Sequence, residues 1–365
     1  MTKRTKAKRT PWYVLVGVCI CFLALVMALA MIVPVWVALA AGISGVSILV
    51  FSFSILVALS LFFADKKLLI RLLAALTLVV SLFSIVVPQA AYLDTARSAG
   101  AKLTFNPITY LTFSGSTDIK PTSIKTYKTV GNQKLEMSYY KPENAGVSPV
   151  VILLHGGAWR YGSHLEMGQW PRTLTNAGYG VVSVEYRLSN DTYHSWKDTP
   201  ADVHDAITYL KANASLFSID PEQMHLLGQS AGGHLALLEA YRFESVRSVT
   251  ALYAPIDLTL DYETSRDKSA ELDFIGGPPK QYRERYESLS PITYVDRDAP
   301  STLVIQGLYD DLVHHSQATQ LQNSLDALNI QNEVVLLPLT GHSFENQRGG
   351  FATQIATQRI LQFLK

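Results

Sequence analysis

The sequence predicts an α/β domain with a mostly parallel central sheet flanked by helices, preceded by transmembrane helices. Three observations carry that expectation. Beyond residue 120, short apolar runs of strand length alternate with helix-compatible stretches, the pattern of a parallel sheet covered on both faces. One such run, Met224-His225-Leu226-Leu227, enters Gly228-Gln229-Ser230-Ala231-Gly232 and leaves it as a helix-compatible stretch. Ahead of all this, residues 14–63 hold no charged side chain, more than a single membrane helix needs.

Charge divides the chain in the same way. The 365 residues carry a net +1, but eight of the 31 Lys and Arg and only one acid, Asp65, fall in residues 1–90. That part is therefore +7 and residues 91–365 are −6. A net-acidic body without a basic run excludes nucleic acid as a partner. Cys19 and Cys21 both lie in the apolar part, so the body has neither a disulfide framework nor a thiol nucleophile. All nine histidines lie beyond residue 150, and the chemistry is to be sought there.

The first elements are membrane helices. Residues 1–10, MTKRTKAKRT, form a basic flank, and Trp12-Tyr13 suits an interface. Residues 14–63 suit two spans, with a hairpin at Ala40-Ala41-Gly42-Ile43-Ser44-Gly45 or a break at Pro34. Asp65-Lys66-Lys67 stops the run, and residues 68–87 make a third span in which Arg71 snorkels to the interface. Positive charge before the first span and between the second and third places both in the cytoplasm. The chain is then a multi-pass protein of the cell membrane, with residues from about 91 onward outside the cell. The spans hold no acid or histidine, which suits an anchor rather than a transporter.

Residues 91–122 read as a connector, with Ser114-Gly115-Ser116 among its breakers. It is either a stalk or packs near the site. Two strands flank a hairpin turn at Gly131-Asn132. Residues 150–154 are a continuous apolar run, as a buried central strand requires. His155-Gly156-Gly157-Ala158-Trp159 follows at once, and its two glycines let the backbone bend and present bare N–H groups to a negative oxygen. His155 braces this loop; Trp159 packs at the pocket wall or in the core. Residues 165–177 read as helix and 180–186 as strand. Thr199-Pro200-Ala201-Asp202 opens a helix to about residue 213, and Asp202 and Asp205 are read as helix-surface or local salt-bridge residues. Strands follow at 248–253, 301–306 and 333–338, with helices at 316–328 and 343–364. Residues 258–300 are too long for a simple connection and are read as a small lid-like insertion. The divisions are thus 1–90 membrane region, 91–122 connector and 123–365 catalytic domain.

Ser230, Asp310 and His342 each follow a strand, and in a parallel sheet those ends share one edge, where sites gather. Glycines at 228 and 232 leave room for a serine on a sharp strand-to-helix turn. In this arrangement His342 takes the proton from Ser230 Oγ as it attacks a carbonyl and passes it to the leaving group. Asp310 holds the imidazole. Backbone N–H groups of Ala231 and Gly157, with Gly156 helping, hold the oxyanion. Asp311 stands beside Asp310 as a rival, and spacing alone does not separate them. His314 and His315 are rivals of His342, but they begin a helix. No fixed ligand spacing supports a metal, and no cofactor is expected.

These motifs resemble the α/β-hydrolase-fold serine esterases, nearest the hormone-sensitive-lipase-like group and the bacterial carboxylesterases and acetyl-xylan or feruloyl esterases. The resemblance spans roughly residues 120–365. It rests on His155-Gly156-Gly157-Ala158-Trp159, Tyr186-Arg187-Leu188, Gly228-Gln229-Ser230-Ala231-Gly232-Gly233-His234, residues 307–313 and Gly341-His342-Ser343-Phe344. It implies Asp310 as the acid, three residues after a glycine. It also implies a serine carboxylic ester hydrolase acting through an acyl-enzyme on a small-molecule or glycan ester, with short acyl groups such as acetyl favoured. An amidase or exopeptidase using the same triad is the alternative, and a non-catalytic binding protein a third reading. Ala158 stands where the related loop often has a third glycine, and membrane spans ahead of the domain depart from the usual pattern.

Overall fold

The computed structural model describes residues 12–30, 37–64, 67–110, 119–143, 146–243 and 246–365. The chain falls into two compact units, Met1–Asp94 and Thr95–Lys365.

The first unit is built on α1 (Trp12–Ala30), α2 (Val37–Ala64) and α3 (Leu68–Ser98). Val14, Cys21, Ala58, Leu61 and Ala74 are buried together, and Ala28 shares a smaller cluster with Phe51. Gly17 lets helices approach closely, since a Cβ there would stand 2.9 Å from Leu61. The Ser54 and Thr77 hydroxyls donate to carbonyls one turn back, at 3.0 and 2.9 Å, which satisfies them inside an apolar unit. Among the described residues one helix, Leu68–Ser98, is long and apolar enough to cross a membrane; Val14–Leu29 and Ser47–Phe63 are shorter apolar stretches. The hairpin expected at 40–45 is not there, because α2 runs straight through it. A helical glycine costs only about 1 kcal/mol, too little to break a 28-residue helix. Pro34, the other expected break, and Lys66 lie outside the described residues.

The second unit is organised by an eight-stranded sheet: β1 (Ser123–Val130), β2 (Gln133–Tyr140), β3 (Ser148–Leu154), β4 (Gly180–Val184), β5 (Ile219–Gln229), β6 (Ser248–Leu252), β7 (Ser301–Gly307) and β8 (Asn332–Leu337). Their spatial order is β1-β2-β4-β3-β5-β6-β7-β8. The β1/β2 and β2/β4 pairs are antiparallel, and the remaining pairs are parallel. Residues 150–154 of β3 are wholly buried, as a strand covered on both faces must be. The helices are α4 (Pro107–Tyr110), α5 (Trp170–Asn176), α6 (Asp198–Ala212), α7 (Ala214–Phe217), α8 (Ala231–Phe243), α9 (Leu258–Thr264), α10 (Ser269–Ile275), α11 (Arg283–Leu289), α12 (Ser316–Ala327) and α13 (Phe351–Phe363). The insertion expected at 258–300 holds α9, α10 and α11, with a 3₁₀ turn at Pro291–Tyr294.

Three local expectations need correction. The helix read at 165–177 shrinks to α5, because Gly168 takes φ +55° and Pro171 sits in the first turn. The helix read at 343–364 is split into a 3₁₀ turn, Phe344–Asn346, and α13. Gly349 lies between them, pressed so close to the backbone of Thr109 that a Cβ would stand 2.4 Å from it. Asp202, read as a surface or locally paired residue, is fully buried. It takes Lys128 Nζ at 2.7 Å and a two-pronged contact from Arg187 at 2.7 and 2.8 Å, tying β1 and the segment after β4 to α6. Asp205 pairs with Lys128 at 2.6 Å.

The segment after α3 lies along α13 as an extended strap. Gln354 and Gln358 each grip one residue by both its N–H and its C=O: Thr104 at 2.9 and 2.8 Å, and Lys102 at 2.9 and 2.8 Å. Gln362 donates to the Gly100 carbonyl at 3.1 Å. The match is geometric. Two extended residues advance about 6.6 Å and four helical residues about 6 Å, so every second strap residue meets a glutamine one turn further along. The strap then delivers Tyr110, buried against Phe105 and Phe351, and its Thr109 carbonyl accepts from Gly349 N at 3.1 Å. A Gln354→Ala, Gln358→Ala variant is expected to expose residues 100–106 to protease while α13 stays folded. Mapping of the first cleavage site by mass spectrometry checks this.

Candidate active site

β5 delivers Ser230 into a backbone that only a tight crossing accommodates. Ser230 has φ +52°, a left-handed conformation that costs about 1–3 kcal/mol in a non-glycine residue. A Cβ on Gly228 would stand 2.1 Å from the Gly232 carbonyl oxygen, and one on Gly232 would stand 2.2 Å from that of Leu154. Glycine is therefore required on both sides, and α8 begins at the next residue.

The structure brings the three expected side chains together. His342 Nε2 lies 2.9 Å from Ser230 Oγ, and His342 Nδ1 lies 2.7 Å from Asp310 Oδ2. A carboxylate only accepts, so Nδ1 carries the proton toward Asp310 and Nε2 is left to accept from the serine hydroxyl. Asp310 is buried in the turn after β7. Its Oδ1 accepts from the N–H groups of Leu312 and Val313, both at 3.0 Å, and its Oδ2 also accepts from Gln306 Nε2 at 3.2 Å. Asp311 points elsewhere and pairs with Arg266 at 3.3 Å. His314 and His315 lie ring against ring, tilted, just ahead of α12, and His314 Nδ1 meets the Ser316 hydroxyl at 2.8 Å instead of Ser230.

The loop after β3 flanks the serine. A Cβ on Gly156 would lie 3.4 Å from Ser230 Cβ. Gly157 has φ +118°, and a Cβ on it would meet the Tyr161 carbonyl oxygen at 2.1 Å. Ala158 and Trp159 follow in the left-handed region, at φ +55° and +56°. His155 is a brace: its ring stacks on Tyr186 with centroids 4.2 Å apart, Nδ1 meets the Gly156 carbonyl at 2.8 Å, and Tyr186 donates to the His155 carbonyl at 2.6 Å. Trp159 is buried on Phe274, its N–H 3.2 Å from His234 Nδ1. Full burial pulls the His234 imidazole down to about 4, so it serves as a neutral spacer. His234 Nε2 meets the Leu289 carbonyl at 2.8 Å.

A second polar group beneath the site was not foreseen. Glu345 is buried, accepts from Gln229 Nε2 at 2.6 Å and from the Tyr253 hydroxyl, and fixes the loop carrying His342 to the ends of β5 and β6. The Tyr253 ring lies 4.5 Å from the His342 ring. The only trace of this in the sequence is position: Gln229 precedes Ser230, and Glu345 follows His342 by three. Ser230 opens on two spaces, a cleft of about 640 Å³ that reaches Tyr161, Glu166 and Asn346, and a recess of about 90 Å³ beside Trp159, Leu312 and Val313.

Residues 137–325 match the BD-FAE family model. The chain belongs to the BD-FAE family. Among curated proteins this BD-FAE member is similar to the probable carboxylic ester hydrolase LipM of Mycobacterium tuberculosis, at 29% identity over 59% of this chain and 54% of LipM. It is also similar to the esterase LipC of the same organism, at 30% over 54% of this chain and 53% of LipC. It thus spans about half the length of the curated relatives it matches. Among solved structures, the acetyl ester-xyloside bifunctional hydrolase of Caldicellulosiruptor lactoaceticus superposes with a TM-score of 0.59 at 18% identity, covering 68% of this chain and 97% of the other. The fold is that of the α/β-hydrolases.

Two outcomes test the roles of these neighbours. Asp310→Asn is expected to lower kcat about 10⁴-fold, by removing the charge that fixes the histidine tautomer. Asp311→Asn is expected to change it less than about threefold, because it loses only a partly exposed ion pair; kinetics on a chromogenic ester check both. Burial pushes the Glu345 carboxyl up. A carboxyl raised by folding favours the folded state while protonated, and that contribution is lost as pH climbs from about 4.3 through the raised value. Glu345→Gln does not charge, so its melting temperature is expected to gain on the parent's as pH rises from about 4 to about 8.

Proposed function

We propose that this protein is a serine carboxylic ester hydrolase whose triad is Ser230, His342 and Asp310. The observation that carries the reading is the unbroken series of contacts, 2.9 Å from serine to histidine and 2.7 Å from histidine to aspartate. Ser230 Oγ attacks the ester carbonyl and gives its proton to His342 Nε2. The negative oxygen that forms is held by the N–H groups of Gly157 and Ala231, with Gly156 assisting, beside the positive end of α8. His342 then protonates the departing alcohol, leaving Ser230 acylated. Water deprotonated by the same histidine releases the acid. Asp310 stabilises the imidazolium in both halves.

The two spaces beside Ser230 divide the substrate. The recess of about 90 Å³ suits a short acyl group such as acetyl, and the cleft of about 640 Å³ suits the alcohol, a small molecule or glycan. The names of LipM and LipC support ester chemistry. The apolar helices α1 to α3 and the Lys and Arg that flank them support a membrane-embedded first unit with three spans, a cytoplasmic N terminus and an extracytoplasmic catalytic unit.

A fluorophosphonate probe is expected to label the full-length protein and to lose that label in Ser230→Ala. Hydrolysis of nitrophenyl esters is expected to fall steeply beyond butyryl. Labelling that survives Ser230→Ala, or equal turnover of an eight-carbon acyl ester, would overturn the triad or the short-acyl reading respectively.

A further inference from the structure

The recess beside Ser230 does not end in apolar side chains. Besides Ser230, Trp159 and Val313, its lining includes Asp261 of α9 and Glu271 of α10. Both carboxyls are almost completely buried, at 3% and 2% exposure. A buried carboxylate is costly unless its oxygens are satisfied. Asp261 Oδ1 accepts from Gln317 Nε2 at 3.2 Å, but Glu271 Oε2 has no hydrogen-bond partner. Arg160, whose charge is felt by Glu271, is committed elsewhere: it donates to Asp273 at 2.8 Å and Ser269 at 3.0 Å, and lies 3.8 Å from Asp267. Burial pushes both carboxyls up, Asp261 the more so with Glu271 and Asp310 near it. An empty recess therefore favours a shared proton, and a cation entering it would let both groups ionise.

We infer that the acyl group this site receives carries an ammonium, so that the substrate is an aminoacyl ester. The inference rests on the serine esterase reading given above and names the acyl part of its substrate. An acetyl or propionyl group matches the recess in size but leaves Glu271 Oε2 without a partner, whereas an α-ammonium of the same size supplies donors and the opposite charge. The chemistry is otherwise unchanged. The ester C–O bond breaks as the Ser230 Oγ–carbonyl bond forms, the alcohol leaves with the proton held by His342, and water then releases the free amino acid. Asp267, which lines both spaces, adds a third carboxylate on the cleft side of the pair.

The test compares naphthyl esters of matched size on the full-length protein in detergent: L- and D-alanyl, propionyl and lactyl. The expected result is a kcat/KM for one alanyl ester at least tenfold above the propionyl and lactyl esters, with Glu271→Gln reducing that preference at least tenfold. A propionyl ester turned over as well as either alanyl ester overturns the inference. So does a lactyl ester that equals them, since a neutral donor then suffices, and so does an undiminished preference in Glu271→Gln. Should Glu271→Gln not fold, the unaltered protein decides: 1-aminoethylboronic acid is expected to inhibit at least tenfold more tightly than ethylboronic acid, and equal inhibition overturns the inference. Propionyl turnover that Ser230→Ala abolishes upholds the esterase reading independently of that ratio. Absence of turnover of every ester overturns both.

Discussion

Everything at the proposed active site depends on one backbone crossing. Between β5 and α8 the chain reverses so sharply that Gly228 and Gly232 nearly touch and Ser230 is held in a left-handed conformation. Such a turn is unfavourable by itself. It persists because β5 is hydrogen-bonded on both sides, to β3 and β6, and because α8 is anchored against the sheet by an almost entirely buried face. The stability of the core is thus used to hold one hydroxyl in a position that an isolated peptide would not adopt. Asp310 and His342 are not themselves left-handed, although Leu339 and Ser343 of the histidine loop are, at φ +50° and +54°; both ride on loops after β7 and β8 that meet the serine at the shared edge.

The same principle organises the loop after β3. Its glycines pass within contact distance of Tyr161 and Ser230, and the His155 ring is clamped between Tyr186 and its own neighbour's carbonyl. The floor of the site is fixed differently, by a carboxyl, a phenol and an amide buried together. Glu345, Tyr253 and Gln229 come from three elements, so their contacts join the histidine loop to the strands on which the serine sits. Trp159 and His234 extend the rigid region to α11 through the Leu289 carbonyl.

How much of this was legible depended on the range of the interactions. Ser230 and the glycine loop announce themselves because their local backbone demands particular residues at fixed spacing, and His342 by its place after the last strand. The choice between Asp310 and Asp311 turns on hydrogen bonds from Gln306, Leu312 and Val313 that no spacing reveals. Asp202 looked like an ordinary first-turn acid because its partners, Lys128 and Arg187, are remote in sequence. The Asp261–Glu271 pair was hidden for the same reason. A charged insertion reads as a solvated surface until its helices are seen folded inward. In the first unit the misread hairpin came from treating small residues as breakers where the helix around them was long.

The glutamine strap carries a mechanical meaning. Its hydrogen bonds are strung lengthwise between residues 100–104 and α13. Tension applied along the strap therefore loads them in parallel, as shear, rather than opening them one after another like a zipper. Because the next residues are stitched to Gly349, a few positions from His342, such a load is spent on α13 before it can disturb the histidine loop. A domain held at its leading end by such a fastening keeps its reactive groups aligned while the rest of it is jostled.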